Sequence, residues 1–254
     1  MSTVLVTGGT GAVGRHIVAR LRERGDQVRL LSRRPGAGTH VGDLSTGAGI
    51  AAAATGAELI VHAASDTRRL GRSDLDQTNN LLRAAQDASH LLYVSVVGIE
   101  SIPYVYYRHK LACEQALMSS TTPYTILRAT QFHELIGWLM RGAERLPVAP
   151  LPLDFRFQPV AAEEVATRAA ELTHSDARRG IADFGGPEVL RLEQMAHAWR
   201  DQRGRPRRLV HLAVPGKVGR AFREGRNTCP EHAEGTGTWA QFVASDAENP
   251  YRLR

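Results

Sequence analysis

Residues 104–115 read YVYYRHKLACEQ, which sets Tyr104, Tyr106 and Tyr107 just upstream of Lys110. On a helix, residues four apart lie one above the other, so Lys110 stands one turn from Tyr106; Tyr107, three residues away, also faces it. A free phenol has a pKa of about 10, and a nearby ammonium favours its ionised form. Such a tyrosine suits proton transfer near neutral pH. The competing reading is the aromatic start of a helix packed into a core. Residue choice adds a chemical hint, because Lys110 and Lys217 are the two lysines of a chain that otherwise uses arginine. A compact ammonium and a planar guanidinium are not interchangeable.

A second stretch, VTGGTGAVGRHI, carries Gly8, Gly11 and Gly14 in GxxGxxG spacing between a strand pattern and a helix pattern. Gly8 suits a tight turn, Gly11 lets the backbone approach a pyrophosphate, and Gly14 lets helix and strand pack closely. The helix start then offers free N–H groups and a positive dipole end to phosphate. The cradle comprises Thr7, Gly8, Thr10, Gly11, Ala12, Val13 and Gly14. Dinucleotide choice falls to the end of the second strand. An acidic residue there would bond the ribose 2′-hydroxyl of NAD(H), whereas this chain has Ser32, Arg33 and Arg34. Guanidiniums pair with phosphate in bidentate fashion, so NADP(H) is expected over NAD(H).

The elements that position these residues follow a repeating pattern. Apolar runs VLVT (4–7), VRLLS (28–32), ELIVHAA (58–64), LLYVSVV (91–97) and YTILRA (124–129) alternate with helical patterns at 13–24, 50–54, 75–87 and 106–119. Continuously apolar strands separated by helices call for a doubly wound parallel α/β sheet covered on both faces. After Thr130 the pattern loosens. Helices are expected at 133–142, 162–172, 192–200 and near Trp239, a proline-spaced segment at 146–157, a turn at 181–187 and a strand at 208–214. The expected organisation is one domain over 1–254, with residues from about 131 onward forming a small substrate cap over the carboxyl edge of the sheet.

Composition bounds the partners. Hydrophobic residues make up 43% and charged residues 23%, the balance of a folded globular chain. No apolar run approaches the roughly 20 residues that cross a bilayer, and no signal peptide precedes the first strand, so a cytoplasmic protein without membrane contact is expected. Cys113 and Cys229 lack metal or disulfide spacing, and His62 has no second histidine at ligand spacing, so no metal site is expected. The net charge of +6 calls for an anionic partner, for which a phosphate-bearing cofactor suffices. The basic run RGRPRR (203–208) has no interleaved aromatics and reads as a solvated turn rather than a nucleic-acid site. Arginine, alanine and glycine usage points to a GC-rich bacterial gene.

With the glycine cradle, VGDL (41–44), VHAAS (61–65), LLYVSVVG (91–98) and YYRHKLACE (106–114), the sequence resembles the short-chain dehydrogenase/reductase superfamily, and within it the atypical NmrA-like NAD(P)H-binding group. The resemblance implies a Rossmann-like fold. It implies that Asp43 and Leu44 flank the adenine and that Ala63, Ala64 and Ser65 line the cofactor. It also implies that the segment from Ala129 to Phe132 lies near the nicotinamide. Of the tyrosines, Tyr106 fits the superfamily's YxxxK pattern, with Lys110 beside the nicotinamide ribose. Ser95, 11 residues before Tyr106, matches the serine that bonds the substrate carbonyl, unless the register puts Val97 there. Asp74 stands where the superfamily's helical asparagine would be, which puts the usual proton relay in doubt; Asn79 and Asn80 read as helix-surface or packing residues.

The expected activity is an NADPH-dependent oxidoreductase transferring hydride to a small-molecule carbonyl or activated alkene, with Tyr106, Lys110 and Ser95 as its catalytic residues. Candidate pocket lining is Phe132, His133, Trp138, Phe155 and Phe157, each also readable as packing. A non-catalytic NADP(H)-binding sensor and an isomerase or epimerase holding NADP are the alternatives, and a homodimer stays open.

Overall fold

A computed structural model describes residues 1–36, 38–204 and 208–245. Arg205, Pro206 and Arg207 of the basic run lie outside the described residues. The chain divides into two compact units: Met1–Ser95, Val105–Arg128 and Val165–Ala182 in one, and Val96–Tyr104, Ala129–Glu164 and Asp183–Arg254 in the other. Residues beyond 131 are therefore not one appendage, because Val165–Ala182 belongs with the first unit.

The first unit is built on strands β1 (Thr3–Thr7), β2 (Gln27–Ser32), β3 (Thr39–Val41), β4 (Leu59–His62), β5 (His90–Val96), β6 (Tyr124–Ala129) and β9 (Gly180–Phe184). They form one sheet in the order β3-β2-β1-β4-β5-β6-β9. β1 pairs in parallel with both β2 and β4, and β4 with β5. The strand order reverses between β1 and β4, the place where an open α/β sheet binds its ligand.

The helices between these strands are α1 (Gly14–Glu23), α2 (Ile50–Ala54), α3 (Asp74–Ala84), α4 (Val105–Met118) and, further on, α6 (Ala162–Thr173). α1 buries Ile17, Val18 and Leu21 on one stripe. Gly25 (φ +87°) ends it, with its N–H on Arg22 O and the Asp26 N–H on Leu21 O. That double bond pattern stops a helix and satisfies carbonyls its last turn would orphan. Leu5, Ile60, Leu91, Tyr93, Leu81 and Leu117 centre the core that α3 and α4 cover.

The second unit holds α5 (His133–Glu144), β7 (Val148–Leu151), β8 (Arg156–Phe157), β10 (Leu190–Arg191), α7 (Leu192–Arg203), β11 (Arg208–His211), α8 (Gly216–Arg223) and α9 (Trp239–Ala244). β7 pairs with β11 and β8 with β10, as two-stranded ribbons. Its core stacks Trp199 on Trp239 at 6.0 Å, with Met140, Met195 and Leu192 around them.

Several expectations are corrected. The segment 181–187 is not only a turn, because Gly180–Phe184 is a strand with Ala182 and Phe184 buried. The proline-spaced segment contains β7 and β8, and Pro150 is accommodated because β7 has a single strand partner. β3 and α8 were absent from the sequence pattern altogether. Among the described residues, no helix is long and apolar enough to cross a membrane.

Candidate active site

The turn after β1 is pressed against the turn after β4. Gly8 has φ +72°, and a Cβ there would sit 2.5 Å from Ala64 N and 2.6 Å from Ala63 C. A Cβ on Gly14 would collide with Gly8 O. Gly11 donates its N–H to Gly8 O at 2.9 Å and is itself exposed. No side chain caps the start of α1, and its first turn carries no acidic residue. A bare helix N-terminus behind an exposed glycine turn fits a phosphate group. Thr7 and Val13 are buried, Ala12 is half-buried and Thr10 is exposed, so Val13 presents backbone rather than side chain.

At the end of β2, Ser32 Oγ accepts the Arg34 N–H at 3.1 Å. Arg33 and Arg34 are exposed, and neither guanidinium has an ion-pair partner among the described residues. Asp43 fixes its own loop: its Oδ1 accepts the Ser45 N–H at 2.8 Å, and its backbone bonds to Ala48 O and Gly47 N. Asn80 Nδ2 holds that loop from α3 by donating to Leu44 O at 2.8 Å. Asn80 thus ties α3 to the segment expected at the adenine.

Behind the switch point, His62 bridges two buried hydroxyls, with Nδ1 2.7 Å from Thr7 Oγ1 and Nε2 3.2 Å from Thr78 Oγ1. Burial, with the Lys110 charge adding to it, pushes its pKa down to about 3. A neutral ring with one donor and one acceptor nitrogen serves both threonines. His62 is a tie between β1, β4 and α3.

One turn further, Ser65 meets the tyrosine. Ser65 Oγ lies 3.2 Å from Tyr106 Oη and donates to Asp74 Oδ2 at 2.6 Å. Asp74 Oδ1 accepts the Asp66 N–H at 2.7 Å, and Asp66 Oδ2 accepts from Ser73 Oγ at 2.9 Å. Asp74 is 2% exposed, whereas Ser65 and Tyr106 are half-buried. Gly71 makes room for this cluster, since a Cβ there would come within 3.2 Å of both Asp74 Oδ2 and the Tyr106 ring.

α4 aims Tyr107, Lys110, Glu114 and Leu117 inward. Lys110 Nζ donates to Val94 O at 2.8 Å and lies 4.1 Å from the Tyr93 ring centroid. Burial pushes the ammonium's pKa below its usual value, against the opposing pull of Cys113, Asp74 and Glu114. Glu114, wholly buried, holds Arg128 of β6 in a fork: Nε to Oε1 at 3.0 Å and Nη2 to Oε2 at 2.7 Å. Planar two-point pairing of this kind fixes orientation as well as charge. It locks α4 onto the sheet.

Ser95 is 3% exposed and its Oγ makes no hydrogen bond. The hydroxyl hydrogen-bonded to Tyr106 is that of Ser65. Residue choice at three positions foreshadowed this arrangement. Lys110 and Glu114 fall on the buried stripe of α4, and Asp74 opens α3 nine residues after Ser65.

In the second unit, Ala129 ends β6 with 2% exposure, and Phe132 caps the start of α5. His133 stacks on Phe242 at 5.2 Å, and burial pushes its pKa down to about 4. Phe155 and Phe157 pack around Phe222, the former stacked at 5.1 Å. Trp138 lines an apolar cavity of about 210 Å³ with Leu139, Leu146 and Leu151. Within this unit, His133, Phe155 and Phe157 are therefore packing residues.

The strand order, its reversal beside the glycine turn and the bare start of α1 define a dinucleotide-binding α/β protein. Residues 8–137 match the model of the NAD(P)H-binding family. The chain belongs to that family. It is similar to a (4-alkanoyl-5-oxo-2,5-dihydrofuran-3-yl)methyl phosphate reductase of Streptomyces griseus, 28% identical over 83% of this chain and 77% of that protein. It is also similar to a 3-beta-hydroxysteroid dehydrogenase of Mycolicibacterium neoaurum, 32% identical over 41% of this chain, though the match spans 37% of that dehydrogenase. In fold it resembles an NADPH-dependent quinone oxidoreductase of Escherichia coli solved with NADPH, with TM-score 0.80, 17% identity and 95% and 99% of the two chains covered.

Proposed function

We propose that the chain is an NADPH-dependent oxidoreductase acting on a small-molecule carbonyl or activated alkene, with Tyr106 as the proton-transfer group. The observation that carries this reading is the hydrogen-bonded run from Tyr106 through Ser65 to the buried Asp74, on a helix that also buries Lys110. The cofactor, when bound, supplies a hydride from the nicotinamide to the acceptor. Gly11 and the uncapped first turn of α1 hold the pyrophosphate, and Arg33 and Arg34 pair with the 2′-phosphate. Tyr106 Oη gives a proton to the acceptor, and the field of the Lys110 ammonium favours the phenolate left behind. Ser95 is the group proposed to polarise the acceptor oxygen. The reductase and oxidoreductase names of the relatives support reductive chemistry.

Two measurements test this. Replacing Arg33 and Arg34 by Ala is expected to raise the NADPH dissociation constant about 10- to 100-fold, the worth of charge-assisted phosphate bonds, and to leave that for NADH nearly unchanged. Equal effects on both cofactors would sink the NADPH assignment. NADPH consumption against quinones, ketones and enones should fall about 10²- to 10⁴-fold in Tyr106→Phe. Unchanged turnover would remove Tyr106 from the mechanism, and tight NADPH binding with no turnover on any acceptor would favour a sensor.

A further inference from the structure

A serine hydroxyl has one proton to give. Ser65 gives it to Asp74 Oδ2 at 2.6 Å, while Asp74 Oδ1 is occupied by the Asp66 N–H. The 3.2 Å contact between Ser65 and Tyr106 must then run from phenol to serine. With Asp74 ionised, the Tyr106 proton points inward and the phenol oxygen is left as an acceptor toward the site. One proton added to Asp74 reverses the whole run: Asp74 donates to Ser65, Ser65 donates to Tyr106, and the phenol proton turns away from Ser65.

We propose that Asp74 is the proton store of this site and that Ser65 is the link through which it exchanges that proton with Tyr106. The proposal rests on the reading of Tyr106 as the proton-transfer group. In the reductive direction, starting from Asp74 loaded with a proton taken from water, the Tyr106 O–H bond breaks as its proton passes to the acceptor oxygen. The Ser65 proton moves to the phenol oxygen, and the Asp74 carboxyl proton moves to Ser65 Oγ. One proton leaves Asp74, one arrives on the product, and no electrons pass along the run. Oxidation of an alcohol runs the same transfers backwards. Ser65 and Tyr106 are half-buried, so the store exchanges with water through them while Asp74 itself stays enclosed.

The ionisable groups facing Asp74 come from every element around it. Asp66 binds it from the loop after β4, Tyr93 faces it from β5, and Tyr106, His109, Lys110 and Cys113 face it from α4. Asp74 and Ser65 are positioning residues, since each acts through Tyr106.

The test needs neither cofactor nor substrate. Tyr106 ionisation is followed by NMR in the whole chain carrying ¹³Cζ-labelled tyrosine, with Tyr106→Phe assigning the signal. In Asp74→Asn, the amide oxygen still accepts the Asp66 N–H, but the amide NH₂ donates to Ser65, whose proton is released to the phenol. Tyr106 is expected to ionise at least tenfold more readily in Asp74→Asn than in the parent. In a Ser65→Ala background, the same substitution should produce much less than that. An equal change in both backgrounds would show that Asp74 acts only as a nearby charge and would overturn the proposal. Should Asp74→Asn fail to fold, infrared difference spectra of the unmutated chain decide it. The Tyr106 C–O band should switch from donor to acceptor form at the pH where the buried carboxyl C=O band is lost, and a Tyr106 band indifferent to that step would refute the link. Loss of the Tyr106 role in turnover is read separately from Tyr106→Phe kinetics, so the two ideas fail independently.

Discussion

The first unit buries charge and the second buries rings. Lys110, Asp74 and the Glu114–Arg128 pair are all enclosed in the first unit, each held by named polar partners. In the second unit, Trp199, Trp239, Met140 and Met195 fill the interior, and the indole N–H groups go to Glu144 Oε1 at 2.6 Å and Met195 O at 3.0 Å. Enclosed ion pairs add little to stability over apolar packing, but they fix geometry and penalise the loss of one partner. Stacked rings stabilise through contact area and leave a cavity when removed. The unit that carries the tyrosine thus uses the device that orients; the other uses the device that fills.

The largest effects should separate these two modes. Arg128→Leu leaves Glu114 buried without its counter-charge and should cost about 3–5 kcal/mol in denaturant unfolding. The double change Glu114→Leu, Arg128→Leu should recover most of that loss, because an apolar pair of similar volume replaces the ions. Trp199→Ala should cost a similar 3–5 kcal/mol or so by opening a cavity, with no second truncation restoring it. If the Glu114 and Arg128 costs simply add, the pair is not acting as a coupled unit and the contrast fails.

The contrast also explains what could be read from the sequence. Parallel strands are apolar on both faces, so VLVT, ELIVHAA, LLYVSVV and YTILRA announced β1, β4, β5 and β6 by continuous hydrophobicity. β7 and β8 pair in small ribbons with mixed exposure, and β9 runs into Gly185-Gly186-Pro187, which masked its strand character. The glycine turn and the Tyr106–Lys110 spacing were legible because both are local. The meeting of Tyr106 with Ser65 was not, since it joins residues 41 apart through the packing of α3 and α4. Asp74 could be flagged as an odd carboxylate, but its partners could not be named.

A middle-sized effect comes from pH, because burial holds His62 and His90 of the first unit and His133 of the second below the usual histidine range. Burial pushes His62 down to about 3 and His133 to about 4, from the usual 6.5. A histidine whose folded pKa is depressed binds its proton more readily when unfolded, so stability rises with pH across that window. It should be full above pH 6.5 and decline as pH falls toward 4, by on the order of 2 kcal/mol per histidine at pH 5. Unfolding series at several pH values should show a shallower slope when either residue is replaced. The replacements sharpen the contrast. His62→Phe orphans the hydroxyls of Thr7 and Thr78, so it should lower stability at every pH. His133→Phe keeps the stack on Phe242 but gives up the bond to the Pro159 backbone, so its cost should shrink as pH falls toward 5.

The smallest expected effect lies at two helix starts, one in each unit. In the second unit, Thr238 caps α9: its Oγ1 accepts the Gln241 N–H at 3.2 Å, while Gln241 Oε1 accepts the Thr238 N–H at 2.9 Å. Thr238→Ala should therefore cost about 1 kcal/mol. In the first unit, α1 begins without any such cap and with Arg15, rather than an acid, in its first turn. Arg15→Glu puts a negative charge at the positive end of α1 and should raise the stability of the unliganded protein by about 0.3–1 kcal/mol, less at high salt. The same carboxylate would repel a pyrophosphate, so NADPH affinity should fall even as the chain becomes harder to unfold. Opposite signs in the two measurements would mark the start of α1 as an end left unsatisfied for a ligand. A variant that gains stability and keeps its NADPH affinity would mean that the phosphates are held elsewhere, and the bare cap would then have no functional meaning.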